Sequence, residues 1–218
     1  MTTRISGLTG ATIETAPSIC HECIWWQTRS GRSADKRKWI RDAEEEWGAW
    51  GTVYHDDDGR LLGSMQYGPA ELFPRARELP AGPPNDDAVL VTCAYLTDSS
   101  RPWVMQSLFL TAIGDSRERG ARALEAFAYQ YPEVETNFER FHVHRTIFPA
   151  DFLADFGFVT VRSKGRVELA RLELGGLQPV EEGTREKVLQ RVQEAFMPAP
   201  APQRFWLPEV QQNVTNRT

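Results

Sequence analysis

The sequence predicts an α/β domain of the α+β kind. Three observations carry that expectation: a hairpin signal around Asp56-Asp57-Asp58-Gly59, a strand, helix, strand succession from Ala88 to Tyr129, and a second hairpin turning at Lys164-Gly165. At 218 residues the chain fits one domain with an appendage, drawn here as residues 1–175 and a C-terminal extension 176–218. The balance of 41% hydrophobic and 25% charged residues excludes a wholly disordered chain.

Five of the seven tryptophans, Trp25, Trp26, Trp39, Trp47 and Trp50, precede residue 51, so the first segment has to bury an aromatic cluster. From Ser33 to Trp47 apolar residues at Trp39, Ile40, Ala43 and Trp47 recur at helical spacing among charges, the stripe of an amphipathic helix. Thr52 to Tyr54 and Leu61 to Tyr67 flank the Asp-Gly turn as two strands. Gly68 to Asp87 carries five prolines and reads as a long loop with a helical turn near Glu71 to Arg75. Ala88 to Leu96 is a strand, interrupted only by Thr92. Trp103 to Arg119 is a helix with Val104, Leu108 and Ala112 on one face, stopped by Gly120. Ala121 to Tyr129 is the next strand, Pro149 to Phe156 a short helix ended by Gly157, and Phe158 to Leu174 the closing hairpin. After Gly175-Gly176 a charged helix from Thr184 to Phe196 precedes a Pro/Ala-rich tail that carries Phe205-Trp206-Leu207, an aromatic anchor suited to docking on this subunit or a second copy.

Lys+Arg 25 against Asp+Glu 30 leaves a formal charge of -5, which argues against a nucleic acid or an anionic membrane as main partner. No apolar run reaches the ~18 residues of a membrane span. The N-terminal residues lack a signal-peptide pattern, and three cysteines are too few for a disulfide framework, so the cytoplasm is the expected compartment. Cys20-x-x-Cys23 invites a zinc reading, but a structural site needs four ligands and no second Cys/His pair stands nearby in sequence. The expectation is therefore no metal, with the thiols packed beside Trp25 and Trp26. His142 and His144 alternate, which on a strand puts both on one face, as a base or metal site or as solvent-facing side chains. Glu125 is unusual inside an apolar strand; it is either turned to solvent or held in a polar site.

Three segments in this order resemble the GNAT (GCN5-related) N-acetyltransferase superfamily: Gly59-Arg-Leu-Leu-Gly63-Ser-Met-Gln66, Leu96-Thr-Asp-Ser-Ser-Arg101-Pro-Trp-Val-Met-Gln106-Ser-Leu, and Phe152-Leu-Ala-Asp-Phe-Gly157-Phe158. The resemblance covers roughly residues 10 to 174. Cys20-His-Glu-Cys23-Ile-Trp25-Trp26, Gly68-Pro69 and Ala121-Arg-Ala-Leu-Glu125-Ala-Phe127 are similar to a little-characterised bacterial branch with an N-terminal cysteine-tryptophan segment. It implies the GNAT fold, a mixed and mostly antiparallel central sheet flanked by helices, followed here by a C-terminal helix and Pro-rich tail. It implies acetyl-CoA as co-substrate and an amine of a small molecule or peptide as acceptor, with direct attack on the thioester.

In the terms of that resemblance, Tyr95 and Leu96 orient the pantetheine and the turn of Arg101, Val104, Met105, Gln106 and Ser107 holds the pyrophosphate, with Arg101 or Arg145 adding charge. Val104 and Gln106 stand where the superfamily has glycines, so side chains are expected to intrude on the phosphate seat. Leu153 stands where many members have a tyrosine acid. Tyr95, Tyr129 or Cys93 could replace it, each equally readable as a packed core residue, and Glu125 is the candidate base. The acceptor is expected to meet the loop Gly68 to Asp87 and the Trp-rich segment, and the resemblance also suggests a homodimer to which the tail contributes. The alternatives are a catalytically degenerate GNAT domain that binds or regulates, and a sensor that holds a small molecule between the central strands without coenzyme A.

Overall fold

The computed structural model describes residues 5–29, 34–97, 101–131 and 147–176. They form an eight-stranded mixed sheet, and every element from Gly51 onward serves one of its two faces. The strands are β1 (Ile5–Gly7), β2 (Gly51–His55), β3 (Leu61–Pro69), β4 (Ala88–Leu96), β5 (Ala123–Tyr129), β6 (Phe148–Pro149), β7 (Val159–Lys164) and β8 (Val167–Glu173). Their order is β1-β2-β3-β4-β5-β8-β7, with β6 added beside β5. Pairing is antiparallel except between β4 and β5 and between β5 and β6. The helices are α1 (Ser18–His21), α2 (Lys36–Glu46), α3 (Pro102–Glu118) and α4 (Ala150–Asp155).

The hairpins form where the turn chemistry places them. Gly59 and Gly165 adopt φ of +78° and +65°, values that a side chain resists, and Asp56 Oδ1 accepts from the backbone of Asp58 and Arg60. Gly120 and Gly157 close α3 and α4 at φ +79° and +85°.

On one face α3 lies across β2, β3, β4 and β5. Its Phe109, fully buried, meets Phe148, Phe152, Phe156 and Phe158 with ring centroids 4.5 to 6.1 Å apart. On the other face the Trp-rich segment, α2 and the loop after β3 cover Leu90, Phe127 and Leu169. Trp39 donates to Leu72 O at 2.7 Å, and the Arg75 side chain donates to Trp25 O while stacking on its ring. Residues 70–77 are two short 3-10 turns where one helical turn is expected.

Several expectations need correcting. β5 begins at Ala123, because Arg122 N donates to Asp87 O and its carbonyl accepts from Leu174 N, outside the parallel ladder. The elements β1, α1 and β6 have no counterpart in the sequence reading, being too short to show a period. The helix expected at Thr184 to Phe196, the Phe205-Trp206-Leu207 tail, the dimer contact assigned to it, and His142, His144 and Arg145 lie outside the described residues. No helix among the described residues is long and apolar enough to cross a membrane.

Candidate functional site

The central feature is a parting of β4 from β5. The parallel ladder runs only from Ala88↔Ala123 to Val91↔Ala126. On β4's other edge, Gln66 pairs with Cys93 and Tyr67 with Val91, which leaves Thr92 as one extra residue, a β-bulge. Thr92 Oγ1 donates to Gln66 O at 3.2 Å, within the bulge. A bulge bends its strand, so β4 swings off β5 directly after their last pair, and from there it pairs with β3 alone among the described strands. β8 occupies one edge of β5 along its whole length, so β6, at Ala128↔Phe148 and Tyr129↔Pro149, takes the edge that β4 has left.

The two lips carry the candidate residues. Alternation puts Cys93 and Tyr95 of β4 on the tryptophan face, and Glu125, Phe127 and Tyr129 of β5 on the same face. Tyr95 and Tyr129 therefore flank the opening from opposite strands. Tyr129 is half-buried, its ring 4.8 Å from that of Tyr131, and Leu96 is buried in the α3 core.

Glu125 sits earlier on β5, opposite Leu90, inside the paired part of the sheet. It is fully buried and its carboxylate is engaged: Asn85 donates from its backbone N at 2.8 Å and from its side-chain amide, and Arg171 Nη1 donates at 3.1 Å. Arg171 also grips both oxygens of Asp87 at 2.9 and 3.0 Å and Glu173 at 2.6 Å. This bidentate grip lowers the Asp87 carboxyl below its ordinary value. Of the two readings of Glu125, solvent or polar site, the geometry is that of a polar site, which pins the 85–87 loop to the sheet.

α3 starts beside the opening, reached from β4 through residues 97–101. Its N-cap residue Arg101 makes no side-chain capping bond to the first turn, and proline occupies the first helical position. Of the two side chains expected to intrude on that turn, Val104 is turned into the core, as is its neighbour Met105. Both are buried in the α3 core, and a Cβ at Gly63 would meet Val104 Cγ1 at 3.0 Å and Tyr95 O at 2.8 Å. Gly63 is thus the residue that lets the first turn of α3 close on the sheet. Gln106 is buried as well, and the Ser107 hydroxyl donates back to Trp103 O at 2.9 Å.

On the tryptophan face a cavity of about 110 Å³ opens against β3 and β4, with Tyr95 in its wall. The fold brings Cys20, Cys23 and Cys93 to this one cavity, a convergence that their sequence spacing does not announce. Among the described residues no group of three or more His, Cys, Asp or Glu side chains is arranged to hold a metal ion. Cys93 donates to Gln66 Oε1 at 3.3 Å, and burial pushes its thiol up to about 12, so it is protonated at neutral pH.

Lys36, missed by sequence reasoning, also lines the cavity and is 8% exposed. Its ammonium lies 4.6 Å from the ring centroid of Trp39 and 5.3 Å from that of Trp50. Desolvation holds its pKa below the ordinary lysine value, opposed by Cys93, Cys23, Cys20 and Glu22. The signal was present, since residue 36 lies on the same helical stripe as Trp39, Ile40, Ala43 and Trp47. An unpartnered buried N–H costs about 1–3 kcal/mol. Four residues of this cavity carry one: Trp26, Gln27, Trp50 and Gln66.

No protein-family model matches the chain, and no curated protein matches it either. Among solved structures, the chain is similar to an N-acetyltransferase from Staphylococcus aureus Mu50, with 15% identity over 78% of this chain and 97% of that one and a TM-score of 0.44. It is similar to Ard1 from Thermoplasma volcanium, with 14% identity over 80% and 97% and a TM-score of 0.44. It is also similar to a GNAT family acetyltransferase from Brucella melitensis in complex with acetyl-CoA, with 14% identity over 80% and 90% and a TM-score of 0.39. Likenesses this distant leave the functional reading to the chain's own geometry.

Proposed function

We propose that the chain is an acyl-CoA-dependent N-acyltransferase of the GNAT kind, in which an amine attacks a thioester held where β4 parts from β5. The observation that carries this reading is the bulge at Thr92, one residue past the last parallel pair, which opens a slot between adjacent strands in mid-sheet. The edge of β4 beyond Val91 suits the amides of a pantetheine arm, which would run beside Tyr95 and Leu96 as an added strand. The first turn of α3, from Arg101 to Ser107, lies at the end of that edge and offers the positive end of a helix to a pyrophosphate. With Val104 and Met105 buried in the core, this reading gives the seat to the backbone of the turn together with Arg101, Gln106 and Ser107.

The thioester supplies the acyl group, and holding it next to the amine supplies most of the rate. Tyr95 and Tyr129, on the two lips, are the candidate proton donors to the departing thiolate. Glu125 acts in this reading as a positioning residue that holds the 85–87 loop, because Asn85 and Arg171 engage its carboxylate. The acceptor enters from the tryptophan face. One observation favours a second reading, a GNAT-like domain that binds without turnover: β6 already occupies the β5 edge of the slot.

Isothermal titration with acetyl-CoA and with free coenzyme A tests the proposal, followed by thiol-release assays across an amine panel. Micromolar binding of both ligands is expected, and Tyr95→Phe or Tyr129→Phe should lower kcat with little change in acetyl-CoA affinity. Binding without thiol release for any amine would favour the second reading. No binding of either ligand would sink both.

A further inference from the structure

We propose that the cavity between the tryptophan segment and β3–β4 is a binding site for a small apolar carboxylic acid, with Lys36 as the counter-ion of the carboxylate. The inference stands on the cavity alone and needs no acyl-CoA. The lining contains a lysine, two glutamines and two tryptophans but no aspartate or glutamate. Among the described residues no carboxylate lies within ion-pair distance of Lys36, whose ammonium rests against the faces of Trp39 and Trp50, with Glu22 acting on it from farther off. A buried cation without an anion is a costly arrangement. Lys36 is also the first residue of α2, where the helix dipole disfavours positive charge and favours negative charge.

The second observation is independent of the lysine. Among the described residues seven buried side-chain polar atoms lack a partner, and four of them, the indole N–H groups of Trp26 and Trp50 and the amide nitrogens of Gln27 and Gln66, belong to residues of this one cavity. All four are donors. The other three belong to Trp47, Thr52 and Ser116, on separate elements. None of the four opens onto the cavity as it stands, so a ligand that brings acceptor oxygens would partner them as their side chains turn toward it. A carboxylate brings one charge to balance one lysine, whereas a phosphate dianion would bring a second charge into walls made of Leu8, Ile19, Met65 and indole rings. Those walls, and a volume of about 110 Å³, suit a ring or short branched chain as the ligand's body.

The test uses the full chain without any coenzyme A, reading tryptophan fluorescence and calorimetry with three probes of one shape: benzoate, benzamide and phenylphosphonate. Benzoate is expected to bind at least tenfold more tightly than either of the others, and Lys36→Met should remove that preference while the chain keeps its circular dichroism and a cooperative melt. Gln27→Leu should weaken benzoate severalfold, which keeps a variant test available if Lys36→Met does not fold. Equal affinity for benzoate and benzamide, unaltered benzoate binding in Lys36→Met, or no binding of any probe overturns the proposal. None of these results depends on whether acetyl-CoA binds.

Discussion

The two faces of the sheet solve the same packing problem with different materials. Under α3 the core is mainly aliphatic and phenylalanine side chains, with Tyr54 and Tyr67 among them, Phe109 at the centre of a five-phenylalanine cluster and Val104, Leu108 and Ala112 closed down on the strands. The opposite face is covered by indoles, thiols, amides and one lysine, and it keeps a cavity bordered by four residues that carry unpartnered N–H groups. A core selected only for stability has no use for a buried ammonium or for orphan N–H groups, each of which raises the free energy of the folded state. In the proposed function the α3 face is the support and the tryptophan face the working side.

Substitutions at packed or ion-paired residues and at the unpaired cavity lysine should therefore differ in sign. The largest loss is expected for Phe109→Ala, about 3–5 kcal/mol by urea denaturation, because four neighbouring rings border the void. Arg171→Leu comes next, at about 3 kcal/mol, since it leaves the fully buried Glu125 with Asn85 as its remaining partner. The same variant should flatten the acid limb of the stability curve. Asp87 titrates below 3.8 in the folded chain, so its contribution is present above that value and is lost as pH falls through the lower, folded value. Its partial exposure keeps that part small.

At the cavity lysine the sign reverses. Lys36→Met should raise the melting free energy by about 1 kcal/mol, because a methionine needs no counter-ion there. The wild type should close that gap as pH rises. The folded lysine loses its proton below 10.5, so the unfolded chain binds more protons in that interval and stability grows with pH. Cys93, whose folded pKa of about 12 exceeds the ordinary 9.0, pulls the other way above pH 9 and is itself lowered by Lys36, so the comparison is read below pH 9. The smallest effect is chemical: iodoacetamide at neutral pH should label the exposed Cys23 well before Cys93, read by mass spectrometry, and equal rates would contradict the protonated, hydrogen-bonded state of Cys93.

How much of this the sequence discloses depends on the range of the interaction involved. The bounds of β4, Ala88–Leu96, are legible to the residue, and those of α3 to within one, because period and stop signals are local. The two hairpins are legible through Gly59 and Gly165. The three-residue β1 and two-residue β6 exist only because a partner strand is there to pair with, and no local pattern announces that. In the candidate site, Glu125 stands out as a charge in an apolar run, but Arg171, 46 residues later, is invisible as its partner until the register of β5 against β8 is known. Lys36 is legible by its stripe, but a lysine in a run of charges carries no local mark of burial. The bulge at Thr92 is not legible, since Ala88 to Leu96 is apolar on both faces and no alternation exists to slip.

That single extra residue separates two jobs that a strand usually fuses. Val91 faces the α3 core and so do Ala94 and Leu96, while Leu90 and Cys93 face the indoles. Striking Thr92 from the chain would leave this in-and-out rhythm unbroken, with every flanking side chain still on its present face, while the strand lost its reason to bend. Packing and opening are written in different letters of the same nine-residue word, so a deletion of one codon could shut the slot and leave the two cores as they are.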